Sequence, residues 1–259
     1  VLQEARGRLR TSRCFRQCDS WLQFAFEACP GVSSAGELRT MRRVLRQYGL
    51  DSLRAELIEG RFLDAATGKL TTKLQPFNYI ARLAAGLSVQ PACQALQGKL
   101  GQYQDRYLIV TNWPKAELHL DSGEPAWHGN AKLSIRHVMM TVKDLSWEWF
   151  NIVTFGLISG IENGLSKLRE MRQAAVGWAH SMEGWPDDDQ LGLFVSCSPH
   201  TRVKAMQLHI IDMSCLAPSF VTYRHNYLDL DAAIHALEQD LAAGNCEMTV
   251  TAPSTIISL

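Results

Sequence analysis

Most of the features that place a protein in a class at once are missing from this chain. It has no charge of one sign to spare: 26 Lys and Arg stand against 26 Asp and Glu in 259 residues. Bulk capture of nucleic acid is therefore not expected, because such binding rests on surplus cations that neutralise phosphates. It has no apolar run near the roughly 20 residues that a membrane helix needs, and its longest candidate, 147–168, is broken by Glu148, Asn151, Glu162 and Asn163. No membrane span is expected. It has no CxxC pair. Its cysteines, Cys14, Cys18, Cys29, Cys93, Cys197, Cys215 and Cys246, are odd in number, which fits free thiols in a reducing compartment better than a disulfide framework. Cys14 and Cys18 lack the second ligand pair that a zinc site requires. Also missing are the GxSxG elbow, the GxxxxGK[ST] phosphate loop, GxGxxG and HExxH, so the common hydrolase, nucleotide-loop and zinc-protease chemistries have no foothold. Neither a cofactor nor a metal is expected. Asp187, Asp188 and Asp189, with Asp212, supply carboxylates, but a run beside Pro186 reads as a solvated loop or cap. His119 and His128 make a metal site only if distant residues converge on them.

What is present is the composition of a folding chain, with 46% hydrophobic and 20% charged residues. The opening stretch carries Arg6, Arg8, Arg10, Arg13 and Arg16 against a single acid, Glu4, and starts at Val1. That composition resembles an organelle transit peptide or its remnant, which suggests a mitochondrial or plastid protein, with the cytoplasm as the alternative. A solvated basic arm is the plainer reading.

The first hundred residues read as a helical region. Helices are expected over 15–28, over 37–48 with Leu38, Met41, Leu45 and Tyr48 at helical spacing and Gly49 as a stop, behind Asp51, over 77–87 and over 91–100. A tight turn is expected around Asp64 to Gly68. Arg39, Arg42, Arg43 and Arg46 share one helix; they suit RNA or an acidic partner, or more plainly a solvated face. Residues 101–245 change texture. Strands are expected over 106–111, 131–141, 191–197 and 203–213, a long helix behind Ser146 with Phe150, Val153, Leu157, Ile161, Leu165 and Leu168 as its buried stripe, and a last helix capped by Asp229 and using Leu230, Ile234, Leu237 and Leu241. Residues 246–259 form a tail. This order implies an α+β fold, an antiparallel sheet with helices packed on one face, preceded by the helical N-terminal region.

Chemistry concentrates in the strand 203–213. Alternation points Met206, Leu208 and Ile210 to one face and Ala205, Gln207, His209 and Ile211 to the other. A histidine in such a run reads, taken alone, as a satisfied core residue. Its surroundings add more. The run resembles the histidine-triad superfamily, whose strand follows His-φ-His-φ-His-φ-φ, and especially the aprataxin and scavenger-decapping branches. Pro218 follows His209 by nine residues, as a proline follows the family's third histidine. Asn112-Trp-Pro-Lys-Ala116 resembles the family's Asn/Tyr-Pro-Lys-Ala entry, His137-Val-Met-Met-Thr-Val-Lys-Asp-Leu-Ser146 its lead into the long helix, and 191–199 its strand and proline before the triad. The likeness covers about residues 103 to 243, with an insertion near 121 to 133.

Carried over by position, Ala205 stands for the first histidine, Gln207 for the second and His209 for the third. The resemblance implies that the middle residue is the nucleophile that forms a covalent nucleotidyl intermediate, and an amide has no basic lone pair with which to do so. Galactose-1-phosphate uridylyltransferase relatives carry glutamine at the third position and keep the nucleophile, so this is a different departure. An alternative register makes His209 the nucleophile, with Gln207 first and Ile211 third. Binding without turnover needs only donors: Gln207 and His209, with Ser198, His200, Thr201, Arg202 and Lys204 just upstream, supply a phosphate-binding set. Arg202 and Lys204 as solvated cations are the plainer rival.

Two functions follow as expectations. One is a catalytically degenerate histidine-triad-like protein, a structural or accessory subunit of a larger assembly with protein partners and with nucleotide or phosphate binding as a retained property. The tryptophans at 113, 127, 147, 149, 178 and 185 fit interfaces, though they also fill cores. The other is a nucleotide hydrolase or transferase acting on a nucleoside phosphate ester through His209.

Overall fold

A computed structural model describes residues 32–72, 79–87, 96–111, 133–196 and 205–244. The expected helix over 15–28, the Arg-rich arm, every cysteine but Cys215, the Asn112–Ala116 motif, His119, His128, Trp113, Trp127 and the 246–259 tail lie outside these residues.

Helix α1 (Ala35–Tyr48) starts where Ser34 and Glu37 form a reciprocal capping box: the Ser34 hydroxyl accepts from the Glu37 N–H at 3.3 Å, and Glu37 accepts from the Ser34 N–H at 3.0 Å. Gly49, at φ 96°, ends α1 and turns the chain at once into α2 (Leu50–Glu59). The expected turn follows, with the Asp64 carboxylate accepting from the N–H groups of Ala66 and Thr67 at 3.1 and 3.0 Å and Gly68 at φ 65°. A short α3 (Tyr79–Ala84) and a 3-10 segment over Gly98–Tyr103 lead to the sheet.

The fold is α+β. Strands β1 (Tyr107–Thr111), β2 (His137–Val142), β3 (Leu191–Ser196), β4 (Gln207–Asp212) and β5 (Tyr227–Asp229) form one antiparallel sheet in the order β1-β2-β4-β3-β5. β4 is the middle strand and is buried along its whole length. Helices α4 (Ile161–His180) and α6 (Leu230–Ala242) bring Leu165, Leu168, Met171, Trp178, Leu230 and Leu237 into one core with Ile109, Met140, Val195, Leu208 and Ile210 of one sheet face. Asp229 caps α6 as expected, accepting from Asp231 and Ala232 N–H. The short α5 (Pro218–Tyr223) contributes Phe220 to a smaller cluster with Phe194, Ile211, Leu133 and Tyr227 on the opposite face.

Two expectations change. The long helix does not begin behind Ser146: residues 147–150 make one 3-10 turn, a non-helical passage follows, and α4 starts only at Ile161. Gly156 and Gly160, at φ 69° and 92°, adopt conformations open mainly to glycine and break the helix there. The buried Glu148 holds this passage, accepting from the Gly156 N–H, the Ser159 hydroxyl and the Lys167 ammonium. The apolar stripe over 150–157 is buried all the same, so its 3.6-residue spacing marks burial without marking helix.

Of the arginines of α1, Arg43 is exposed, as a solvated face requires, but the other three differ from both readings. Arg39, Arg42 and Arg46 turn inward and converge on Asp240 of α6 at 3.3, 2.9 and 3.0 Å. Arg42 is fully buried and donates further to the carbonyls of Val153 and Phe155. Burial pulls its guanidinium down to about 10, against the hydrogen bond and charge of Asp240. These three are neither a solvated face nor an RNA surface. Leu38, Met41 and Leu45 on the same helix join the main core, so helices of the first hundred residues and the sheet share one interior. Trp149 and Trp178 are buried, and Trp147 and Trp185 pack against the same core.

Candidate functional site

The face of the sheet that carries Gln207 and His209 is the more polar one. Cross-strand pairing sets Met139 and Phe194 opposite His209, His137 and Gly192 opposite Ile211, and Thr141 opposite Gln207. Opposed residues of an antiparallel pair point to the same side, so His137, Thr141, Gln207, His209 and, through β5, Tyr227 share one surface. All are buried, with Gln207 and His209 each 4% exposed. Gly192 has no room for a side chain, since a Cβ would lie 2.7 Å from both Met213 and Phe194 and 2.8 Å from Ile211.

Hydrogen bonds order this surface in one direction. The backbone N–H of Leu133 donates to His137 Nδ1 at 2.9 Å, and His137 Nε2 lies 2.9 Å from His209 Nδ1. An amide N–H can only donate, so His137 Nδ1 is the bare nitrogen of that ring and its proton sits on Nε2. That proton goes to His209 Nδ1. His209 then carries its own proton on Nε2. Burial drives the His209 pKa down to about 3, so the ring is neutral. The Tyr227 ring meets it edge to face with centroids 4.7 Å apart.

The chain of donors stops there. His209 Nε2 and Gln207 Nε2 are buried and have no hydrogen-bond partner. An orphaned buried donor costs about 1–3 kcal/mol, and these two lie two residues apart on one face of the central strand. Thr141, beside Gln207, is already committed, donating to the Met206 carbonyl at 3.1 Å. Arg224 adds a cation on this side of the sheet. Its guanidinium lies 4.6 Å from the centroid of Phe194 and 6.0 Å from that of Phe220, and its Nη1 donates to the Tyr227 carbonyl.

Of the sequence candidates, Gln207 and His209 are brought together with their donors unsatisfied. Ser198, His200, Thr201, Arg202 and Lys204 lie outside the described residues. The site residue that sequence reasoning missed is His137. Its position within the motif leading toward the helix was visible, but its role depends on β2 lying directly beside β4, and strand order is not written in any local pattern. Tyr227 and Arg224 were missed for the same reason.

The carboxylates form no centre. Asp188 pairs with His180 at 2.7 Å on an exposed surface, while Asp212 is held by Arg136 at 2.6 Å and by Ser214. Among the described residues no group of three His, Cys, Asp or Glu stands close enough to hold a metal, and no helix is long and apolar enough to cross a membrane.

A scan against protein-family models finds no match, and searches of curated proteins and of solved structures find none either. The likeness to the histidine-triad superfamily rests on the sequence motifs alone.

Proposed function

We propose that this chain is a catalytically degenerate histidine-triad-like protein. It binds a nucleotide or phosphate without turning it over, as an accessory subunit of a larger assembly. The observation that carries this reading is the pair of buried, unpartnered donors, Gln207 Nε2 and His209 Nε2, on the middle strand of the sheet. Two donors and no free basic nitrogen suit an oxygen acceptor and do not suit nucleophilic attack. Gln207 has an amide where the family has its nucleophile. His209 has its Nδ1 lone pair engaged by His137 and a proton on Nε2, so it presents no lone pair to a phosphorus atom.

This weighs against the rival hydrolase or transferase acting through His209. Making His209 Nε2 basic would require a proton on its Nδ1 and hence on His137 Nδ1, facing the Leu133 N–H. Arg224 beside Phe194 supports an anionic ligand. An organelle as the place of action rests on the Arg-rich opening stretch.

The test is calorimetric titration of the purified chain with AMP, ADP and inorganic phosphate, together with assays on dinucleoside polyphosphates, cap analogues and adenosine phosphoramidates. Expected are binding that weakens about tenfold in His209→Ala, the loss of one hydrogen bond to a charged group, and no turnover. Turnover abolished by His209→Ala overturns the degenerate reading. Absence of any binding overturns the ligand, and recovery of the native protein at a monomer's size overturns the subunit.

A further inference from the structure

The orphaned donor on His209 is set from outside the β4 strand. We infer that His137 is a positioning residue whose tautomer, fixed by the Leu133 N–H, locks His209 as a donor, so that the site accepts ligands through acceptor oxygens and rejects groups that donate. This deepens the proposed binding function and rests on it.

The inference follows from the direction of two hydrogen bonds, Leu133 N to His137 Nδ1 and His137 Nε2 to His209 Nδ1, both 2.9 Å. The first has a backbone donor and cannot reverse. The second is then fixed, because a neutral imidazole has one donor and one acceptor nitrogen. Leu133 is fully buried, and its segment is anchored to the end of β4, where Ala217 N–H donates to the Leu133 carbonyl at 2.9 Å and the Ser134 hydroxyl donates to the Asp212 carbonyl at 2.8 Å. The first donor of the relay is therefore held in place by backbone. At the far end stand His209 Nε2–H and the Gln207 amide N–H, both unsatisfied. A phosphate oxygen or a carbonyl can accept from both. An amine or a hydroxyl proton directed at His209 Nε2 meets another proton.

The test reads the tautomer directly. Long-range 1H–15N correlation on the full chain labelled with 15N-histidine, assigned with His209→Gln, is expected to show His209 with a bare Nδ1 and a protonated Nε2 before any ligand is added. In His137→Phe, which removes the donor, this signature is expected to give way to a mixture, and AMP is expected to bind about tenfold more weakly. His137→Gln, whose amide N–H still donates toward His209, is expected to restore the signature and most of the affinity.

A ligand-free His209 with its proton on Nδ1, or one whose tautomer does not move in His137→Phe, overturns the lock even if AMP binds. The expected tautomer with no binding of AMP or inorganic phosphate leaves the lock standing and overturns the binding function together with the acceptor selectivity. Should His137→Phe fail to fold, the wild-type spectrum alone still decides the first point.

Discussion

His209 is held neutral by burial, and that has a measurable price in acid. Its folded pKa, about 3, lies well below the ordinary 6.5. Between those values the unfolded chain binds a proton that the folded chain refuses, so stability falls as pH drops through 6.5 and the loss is complete only near 3. Taking the pH from 7 to 5 is expected to remove about 2 kcal/mol through this residue. Asp240 behaves in the same direction at lower pH: burial pushes its carboxyl up, but the hydrogen bond and charge of Arg42 and the charge of Arg46 outweigh this and lower it, so its contribution fades below the usual carboxylate range. The window between pH 5 and 7 therefore lies above the range in which Asp240 acts, and comparison with a variant lacking the His209 imidazole separates its share from that of the other histidines. Urea unfolding at both pH values, for the wild type and for His209→Gln, checks this. The variant is expected to lose about 2 kcal/mol less than the wild type across the window, and an equal loss in both proteins would refute the assignment.

At the scale of elements, the passage that replaces the first part of the expected helix depends on a close backbone approach. A Cβ on Gly164 would stand 2.8 Å from Gly156 Cα and 3.2 Å from Gly156 N. Both are backbone atoms that cannot swing away. Gly164→Ala is expected to destabilise by about 1–3 kcal/mol, the cost of overpacking. Gly177, on the same helix, has nothing within 4 Å of a built Cβ. Gly177→Ala is expected to gain about 0.5–1 kcal/mol, because alanine loses less conformational freedom in a helix. Thermal melts of the two variants should move in opposite directions; movement in the same direction would sink the account.

The same passage marks where sequence and structure part. Local signals with a local cause were legible: the Asp229 cap, the Asp64 turn, the stop at Gly49, and the alternation that sends Leu208 and Ile210 to the main core and Gln207 and His209 to the other face. What depends on distant partners was not. The 150–157 spacing reads as helix because burial on one side looks the same whether the backbone is helical or coiled. The Arg39, Arg42 and Arg46 stripe reads as surface because their acid, Asp240, lies about 200 residues away. Two residues of the candidate site, Gln207 and His209, can be named from one strand, while His137, Tyr227 and Arg224 cannot, since they belong to the site only through strand order.

For the whole molecule, the buried cations of α1 tie the first helices to the last. Asp240 is the common acceptor of three arginines, and Arg42 is left with one buried nitrogen, Nη2, that has no partner. Two burying events therefore depend on one carboxylate: the docking of α1 on α6 and the charge of Arg42 in the interior. Asp240→Ala strands that charge and is expected to cost about 3–5 kcal/mol. Arg39→Ala removes a partner whose side chain is 29% exposed and is expected to cost no more than about 1 kcal/mol. The double replacement Arg42→Met with Asp240→Leu removes the buried charge along with its acceptor, and is expected to cost less than Asp240→Ala alone. Urea unfolding followed by tryptophan fluorescence, which reports mainly on the strand-bearing part, and by far-UV circular dichroism, which reports on all the helices, should give coincident transitions in the wild type. A double variant less stable than Asp240→Ala would show that the ion pair itself holds α1 in place, and separate transitions in the wild type would show that the shared interior does not make the two parts unfold together.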